Sequence, residues 1–166
     1  MKDLLKLMPE LIQAKIISAK HLNKVISTWN LQHLTQVFTN GCFDILHPGH
    51  IFLLNKAASL GNKLIIGLNS DASVSRLKGN SRPINDWNSR AVLLASLSCV
   101  DFIVPFEEDT PLELIKSIKP NILVKGGDYQ ADEVVGASEM KEWGGIISII
   151  PFLEGFSTSS LLKNGL

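Results

Sequence analysis

The chain has 166 residues, with 16 basic and 16 acidic side chains. That length suits one domain burying about two-thirds of its unfolded surface, and the balanced charge excludes a strongly basic nucleic-acid or anionic-membrane binder. The two cysteines, Cys42 and Cys99, are too few for a disulfide framework or a zinc ribbon, which suits a reducing cytosol.

In chain order, residues 1–34 read as an amphipathic helical arm. Its apolar positions are Leu4, Leu5, Leu7, Met8, Leu11, Ile12, Ile16 and Ile17, then Leu22, Val25, Ile26 and Trp29, with Pro9 as a break. Asp3, Lys6 and Glu10 interrupt the first apolar residues, so they do not form a secretory h-region. No apolar run approaches the ~20 residues of a membrane-spanning helix. The expectation is a soluble, cytoplasmic protein whose arm packs against the rest of the chain or faces a second copy.

From residue 35 the pattern becomes regular. Short, nearly continuous apolar runs predict strands over 36–39, 63–68, 102–104, 122–125 and 146–150, as expected where both sheet faces are covered. Helices are predicted between them over 48–60, 71–77, 86–98 and 110–118. Gly61 follows the first as a stop, Ser70 or Asp71 caps the second, and Asp109-Thr110-Pro111 opens the fourth. The alternation predicts an α/β domain over 35–166 with a Rossmann-like, doubly wound, five-stranded parallel sheet. A ligand is then expected beyond the carboxyl ends of the strands, at the switch point.

The stretch Thr39-Asn40-Gly41-Cys42-Phe43-Asp44-Ile45-Leu46-His47-Pro48-Gly49-His50 leaves the first strand, turns on Gly41 and carries two histidines into a helix. Pro48 suits the first helical position, which makes His47 the cap. Gly49 leaves the helix end bare, where free N–H groups and the positive end of the dipole favour a phosphate. His50 adds a donor within one turn. A metal site built from Cys42, Asp44, His47 and His50 is the rival reading, but the glycines and the strand-turn-helix context favour phosphate.

Residues just past the other strands have matching chemistry. Asn69 can meet a sugar hydroxyl or hold the first motif, and Asp71 lies beside it. Lys78 and Arg82 put cations in the following loop, with Arg82 able to grip a phosphate bidentately. Arg90 is either a buried ion-pair partner or a third cation aimed at a polyphosphate. Gly126 and Gly127, between Lys125 and Asp128, let backbone approach a ligand closely. Ser157, Thr158 and Ser159 open a last helix and offer a second helix-end anion site. No G-x-G-x-x-G follows the first strand, which disfavours a dinucleotide-binding domain.

The Gly41-Cys42-Phe43-Asp44 run leading to His47-Pro48-Gly49-His50 resembles the signature of the cytidylyltransferase-like nucleotidyltransferases. Members join a nucleoside triphosphate to a phosphorylated small molecule and release pyrophosphate. Taken with Asn69-Ser70-Asp71, Arg76-Leu77-Lys78-Gly79, Arg82-Pro83, 106–111 and Lys125-Gly126-Gly127-Asp128-Tyr129, the likeness is to the ADP-heptose synthase branch, which acts on heptose 1-phosphate. The resemblance implies that His47 and His50 contact the ATP phosphates and that Lys78 and Arg90 steady charge during transfer. It places Thr39 to Asp44, Gly49, Lys125 to Asp128 and Ser157 to Ser159 around the nucleotide, and Asn69, Asp71 and Arg82 at the sugar phosphate. It implies Mg²⁺ held through the phosphates, with no direct protein ligand, a homodimer, and a separate heptose kinase supplying a stand-alone enzyme. The segment Trp87-Asn88-Ser89 and Phe156 depart from the family pattern. A cytidylyltransferase acting on a polyol phosphate and a nucleotide sensor without turnover are the alternatives.

Overall fold

The computed structural model describes residues 4–153 and Gly155. Two short helices precede the sheet, α1 (Glu10–Gln13) and α2 (Ala19–Leu31), with a 3-10 turn at Leu4–Leu7. There follow β1 (Gln36–Gly41), α3 (Pro48–Ala58), β2 (Lys63–Asn69), α4 (Asp71–Lys78), α5 (Trp87–Ala95), β3 (Phe102–Phe106), α6 (Leu112–Ile118), β4 (Ile122–Gly126), α7 (Ala137–Glu142) and β5 (Ile146–Ile150). A second 3-10 turn, Ala131–Glu133, precedes α7.

The five strands form one sheet in the order β3-β2-β1-β4-β5, every pair parallel. The strand period of two divides the core. Val37, Leu64, Ile66, Leu68, Ile103 and Val124 point to the face covered by Leu54 and Ala57 of α3 and by Ala91, Leu94 and Ala95 of α5. Phe38, Ile65, Val104, Phe106 and Leu123 point to the other face, against Leu22, Ile26 and Trp29 of α2, Leu114, Ile115 and Ile118 of α6, and Met140 of α7. Helices on both faces account for the nearly continuous apolar strands. The order reverses between β1 and β4, which puts the switch point at their carboxyl ends.

The arm is bound to its own sheet. Ile103 N–H donates to the Lys15 carbonyl at 2.8 Å, and Ile17 N–H donates to the Ile103 carbonyl at 3.0 Å. Residues 15–17 thus pair along the outer edge of β3 and remove a template for edge-to-edge association. Trp29 of α2 stacks on Phe102 with ring centroids 5.3 Å apart.

Strands β1 to β4 run one or two residues further than the sequence predicts, which carries their ladders up to the site. Helix α5 is shorter at both ends, with Asp86 as its cap: its side chain accepts from Ser89 N–H at 2.8 Å. Helix α6 starts at Leu112, so Asp109 and Thr110 stand outside it. Helix α7 was not expected; its six residues are too few to show a helical period.

Candidate active site

The site begins where β1 ends. Gly41 is closely covered: a Cβ there would lie 3.0 Å from the Phe43 ring, which would have to give way. Phe43 takes a left-handed backbone conformation at φ 43°, unusual for a bulky residue and a feature that clusters at functional turns. This turn sets the Phe43 ring over Gly41 and against His50, with ring centroids 5.2 Å apart. His47 occupies the N-cap of α3 in an extended conformation, and Pro48 takes the first helical position. His47 and His50 stack at 3.8 Å between centroids. Both Nδ1 atoms are buried with no hydrogen-bond partner.

Asn40, Gly41, Cys42, Phe43, His50, Asn69, Lys78, Lys125 and Gly126 line one cleft of about 510 Å³ at the carboxyl ends of β1, β2 and β4. Backbone approaches closely at Gly126, where a Cβ would lie 3.1 Å from Leu53. Burial pushes His50 down from 6.5 to about 4, with His47 and Lys78 adding to the effect and an interaction with the Ile45 backbone opposing it. Burial also lowers His47 and Lys125. It raises the Cys42 thiol, against which Lys78 and Arg90 act. Both imidazoles are therefore neutral near pH 7 in this structure, and His50 shares the cleft with Lys78 and Lys125. An incoming polyanion would meet uncancelled positive charge and reverse the shift on His50.

A second layer of polar residues holds this surface from behind. Asp44, 2% exposed, accepts from Ile84 N–H at 2.8 Å and Asn85 N–H at 3.0 Å, while Asn85 Nδ2 donates to the Asp44 carbonyl at 2.7 Å. Arg82, expected to grip a substrate phosphate, instead pairs with the Asp44 carboxylate at 2.5 Å, out of hydrogen-bond alignment. Arg90, expected to face a polyphosphate, is 0% exposed. Its guanidinium donates to the carbonyls of Asn85 (3.0 Å), Cys42 (2.6 Å) and Asn69 (2.9 Å) and to the Asp71 carboxylate (2.6 Å). Asp71 also accepts from Trp87 N–H at 3.1 Å. Asp44, Asp71, Arg82 and Arg90 therefore form a frame joining the ends of β1 and β2 to the start of α5, with Asp44 and Arg90 buried, Arg82 nearly so and Asp71 half-exposed. Burial requires a nearby partner: backbone carbonyls supply most of it for Arg90, and the Asp44 carboxylate supplies it for Arg82.

Other expected residues fall outside the cleft lining, His47 among them: it lines a separate surface pocket with Leu46, Pro48 and Ile51. Thr39 is 1% exposed inside β1. Gly49 is in the first turn of α3. The Gly127 N–H is taken by the Ile150 carbonyl at 3.0 Å, so it does not face a ligand, and Asp128 is exposed at the surface. Ser157, Thr158 and Ser159 lie outside the described residues. Among the described residues no group of three or more His, Cys, Asp and Glu side chains is placed to hold a metal ion, and Asp44 is committed to Ile84, Asn85 and Arg82. This disfavours the metal reading of the first motif.

The cleft also takes in residues not singled out for it: Leu53, Leu77, Asp109, Thr110, Pro111, Tyr129 and Phe152 among them. The Asp109-Thr110-Pro111 run reads as a helix start, yet only Pro111 is adjacent to the helix. The signals for the other two are their position past β3, at the same sheet edge as the other site residues, and their place in the 106–111 run that shares the family resemblance. No helix among the described residues is long and apolar enough to cross a membrane.

Comparison with known proteins agrees with this geometry. A family model described as cytidylyltransferase-like matches residues 38–163. The chain is 49% identical over 153 residues to the bifunctional protein HldE of Koribacter versatilis, covering 92% of this chain and 32% of that protein. It is 54% identical over 153 residues to the bifunctional protein HldE of Helicobacter hepaticus, covering 92% of this chain and 30% of that one. The chain thus spans about a third of the length of these curated relatives. Among solved structures, the lipopolysaccharide core biosynthesis protein from Thermoplasma volcanium GSS1 superposes with a TM-score of 0.58 at 31% identity, covering 72% of this chain and 97% of that one. A pantoate-beta-alanine ligase from Francisella tularensis shares the fold at a TM-score of 0.65 and 18% identity, over 91% of this chain and 73% of that one. This chain belongs to the cytidylyltransferase-like family and is a nucleotidyltransferase.

Proposed function

We propose that the chain transfers AMP from ATP to D-glycero-β-D-manno-heptose 1-phosphate, giving ADP-heptose and pyrophosphate for lipopolysaccharide core precursors in the cytoplasm. The observation that carries this reading is the convergence of three separate segments on one cleft: His50 at the start of α3, Lys78 at the end of α4 and Lys125 at the end of β4. The likeness to HldE proteins and to a lipopolysaccharide core biosynthesis protein supports heptose as the sugar.

An oxygen of the sugar phosphate attacks the α-phosphorus of ATP in line, and the bond to the β-phosphate breaks as pyrophosphate leaves. Such a reaction needs positioning and charge stabilisation more than a protein nucleophile. The N-terminus of α3 and His50 face the triphosphate, and Lys78 and Lys125 balance the charge that collects on the leaving group. The donor set offers no carboxylate cage, so Mg²⁺ fits here as an ion carried on the triphosphate oxygens, where it would offset their charge. A heptose kinase activity outside these residues supplies the sugar phosphate.

The test is pyrophosphate release on mixing the protein with Mg²⁺, heptose 1-phosphate and either ATP or CTP at equal concentration. Release with ATP and formation of ADP-heptose support the reading. Preference for CTP, with a polyol phosphate as acceptor, would replace it with the cytidylyltransferase alternative. Binding of ATP with no release would leave a sensor.

A further inference from the structure

The cleft has two unlike walls. One is formed by Tyr129 and Val135, after β4, and Phe152, after β5, which are 47%, 42% and 68% exposed. Flat and apolar surface of this kind suits a purine ring. The other is formed by Leu77 and Lys78 of α4 together with Asp109, Thr110 and Pro111 from the loop between β3 and α6. Asp109 is the one carboxylate among the described residues lining the cleft.

A carboxylate beside a triphosphate repels it, and Asp109 stands in a cleft otherwise furnished with Lys78, Lys125 and a helix N-terminus. Its Oδ1 is paired with Arg76, and the acceptor capacity that remains suits a neutral part of the ligand that is rich in donors. A carboxylate accepts hydrogen bonds and a sugar hydroxyl donates them. Thr110, next in the chain, both donates and accepts.

The loop is held for such a role. Arg76 Nε donates to Asp109 Oδ1 at 2.8 Å, and Arg76 Nη2 donates to the Glu107 carbonyl. Ser73 Oγ donates to the Glu108 carbonyl at 3.1 Å and accepts from Asn69 Nδ2 at 3.0 Å. These ties run to α4 and β2, so Asp109 is held by the same helix that carries Lys78. The Asp109 side chain nonetheless stays 68% exposed, leaving acceptor capacity free.

We infer that Asp109 and Thr110 are specificity-determining residues that read the hydroxyls of the sugar, next to the Lys78 that meets the triphosphate. The inference rests on the activity proposed above and names which wall selects the acceptor. The test is steady-state kinetics of the whole chain and its Asp109→Asn and Thr110→Val variants, with ATP and heptose 1-phosphate varied in turn. The KM for the sugar phosphate rises about tenfold in Asp109→Asn, the loss of one charge-assisted hydrogen bond, and about threefold in Thr110→Val. The KM for ATP stays within about twofold in both. An unchanged sugar-phosphate KM in both variants, or an ATP KM that rises as much, overturns the inference while leaving the proposed activity in place. If the unaltered chain forms no ADP-heptose, the proposed activity falls and this inference with it.

Discussion

Replacing Arg90 with Met separates a structural cation from a phosphate ligand. Arg90 is 0% exposed and its guanidinium holds three carbonyls, those of Asn85, Cys42 and Asn69. Met fills much of the same volume but donates nothing. Each carbonyl left buried without a partner costs about 1–3 kcal/mol. Water reaches part of the Cys42 and Asn85 surroundings, so the sum is about 3–5 kcal/mol. Loss of the Asp71 contact adds little, because that carboxylate is 46% exposed. A domain of this kind has about 5–15 kcal/mol of stability in all, so the midpoint of urea unfolding should fall steeply. Arg90→Lys, which reaches fewer of the carbonyls, should lie between. The reasoning fails if Arg90→Met unfolds within about 1 kcal/mol of the unaltered protein while its KM for ATP rises sharply, since that is how a phosphate-binding cation behaves.

His50 sets a pH dependence in the ligand-free protein. Its folded value, about 4, lies below the ordinary 6.5, so the unfolded chain takes up the proton first as pH falls. The stability it contributes is fully present above 6.5 and is lost as pH falls towards 4, a change on the order of 3 kcal/mol. His50→Gln should flatten that part of the curve in urea titrations across the range; an identical slope would show that other groups carry it. Asp44→Ala releases the Ile84 and Asn85 N–H groups and leaves Arg82 without its ion pair, costing about 2–4 kcal/mol. Amide exchange at Ile84 and Asn85 should quicken, and unchanged protection there would remove the carboxylate from its anchoring role. Gly61→Ala puts a Cβ 2.6 Å from Val37 Cγ2 and 2.8 Å from the Thr35 carbonyl. Overpacking against backbone should cost about 1–3 kcal/mol, measured as a lower Tm; a neutral or raised Tm would mean that the Thr35–Gly61 contact yields freely.

The fold was legible because its signals are local and repeated. Each strand is a short apolar run, and two of the following helices, α4 and α5, have a punctuating residue, Ser70 and Asp86, whose side chain caps them. The His47-to-His50 segment was legible for the same reason: Pro48 and Gly49 fix the helix start and leave its end bare. What the sequence could not show was the direction of buried charge. Arg82 and Arg90 have the same chemistry as Lys78 on the page, and only the folded backbone reveals that Cys42, Asn69 and Asn85 present their carbonyls to Arg90. Asp109 was missed from the other side. Beside Thr110 and Pro111 it looks like a helix cap, and its place in the cleft depends on how α4 holds the loop through Ser73 and Arg76.

The central claim is that His50, Lys78 and Lys125 act together on one triphosphate. Pre-steady-state formation of ADP-heptose and pyrophosphate in the His50→Asn, Lys78→Ala and Lys125→Ala variants tests it most directly. The account predicts a loss of about 100-fold or more in the transfer step for His50→Asn and for each lysine variant, with one pyrophosphate released per ADP-heptose formed. Transfer at near-normal rate in any two of these variants would contradict it.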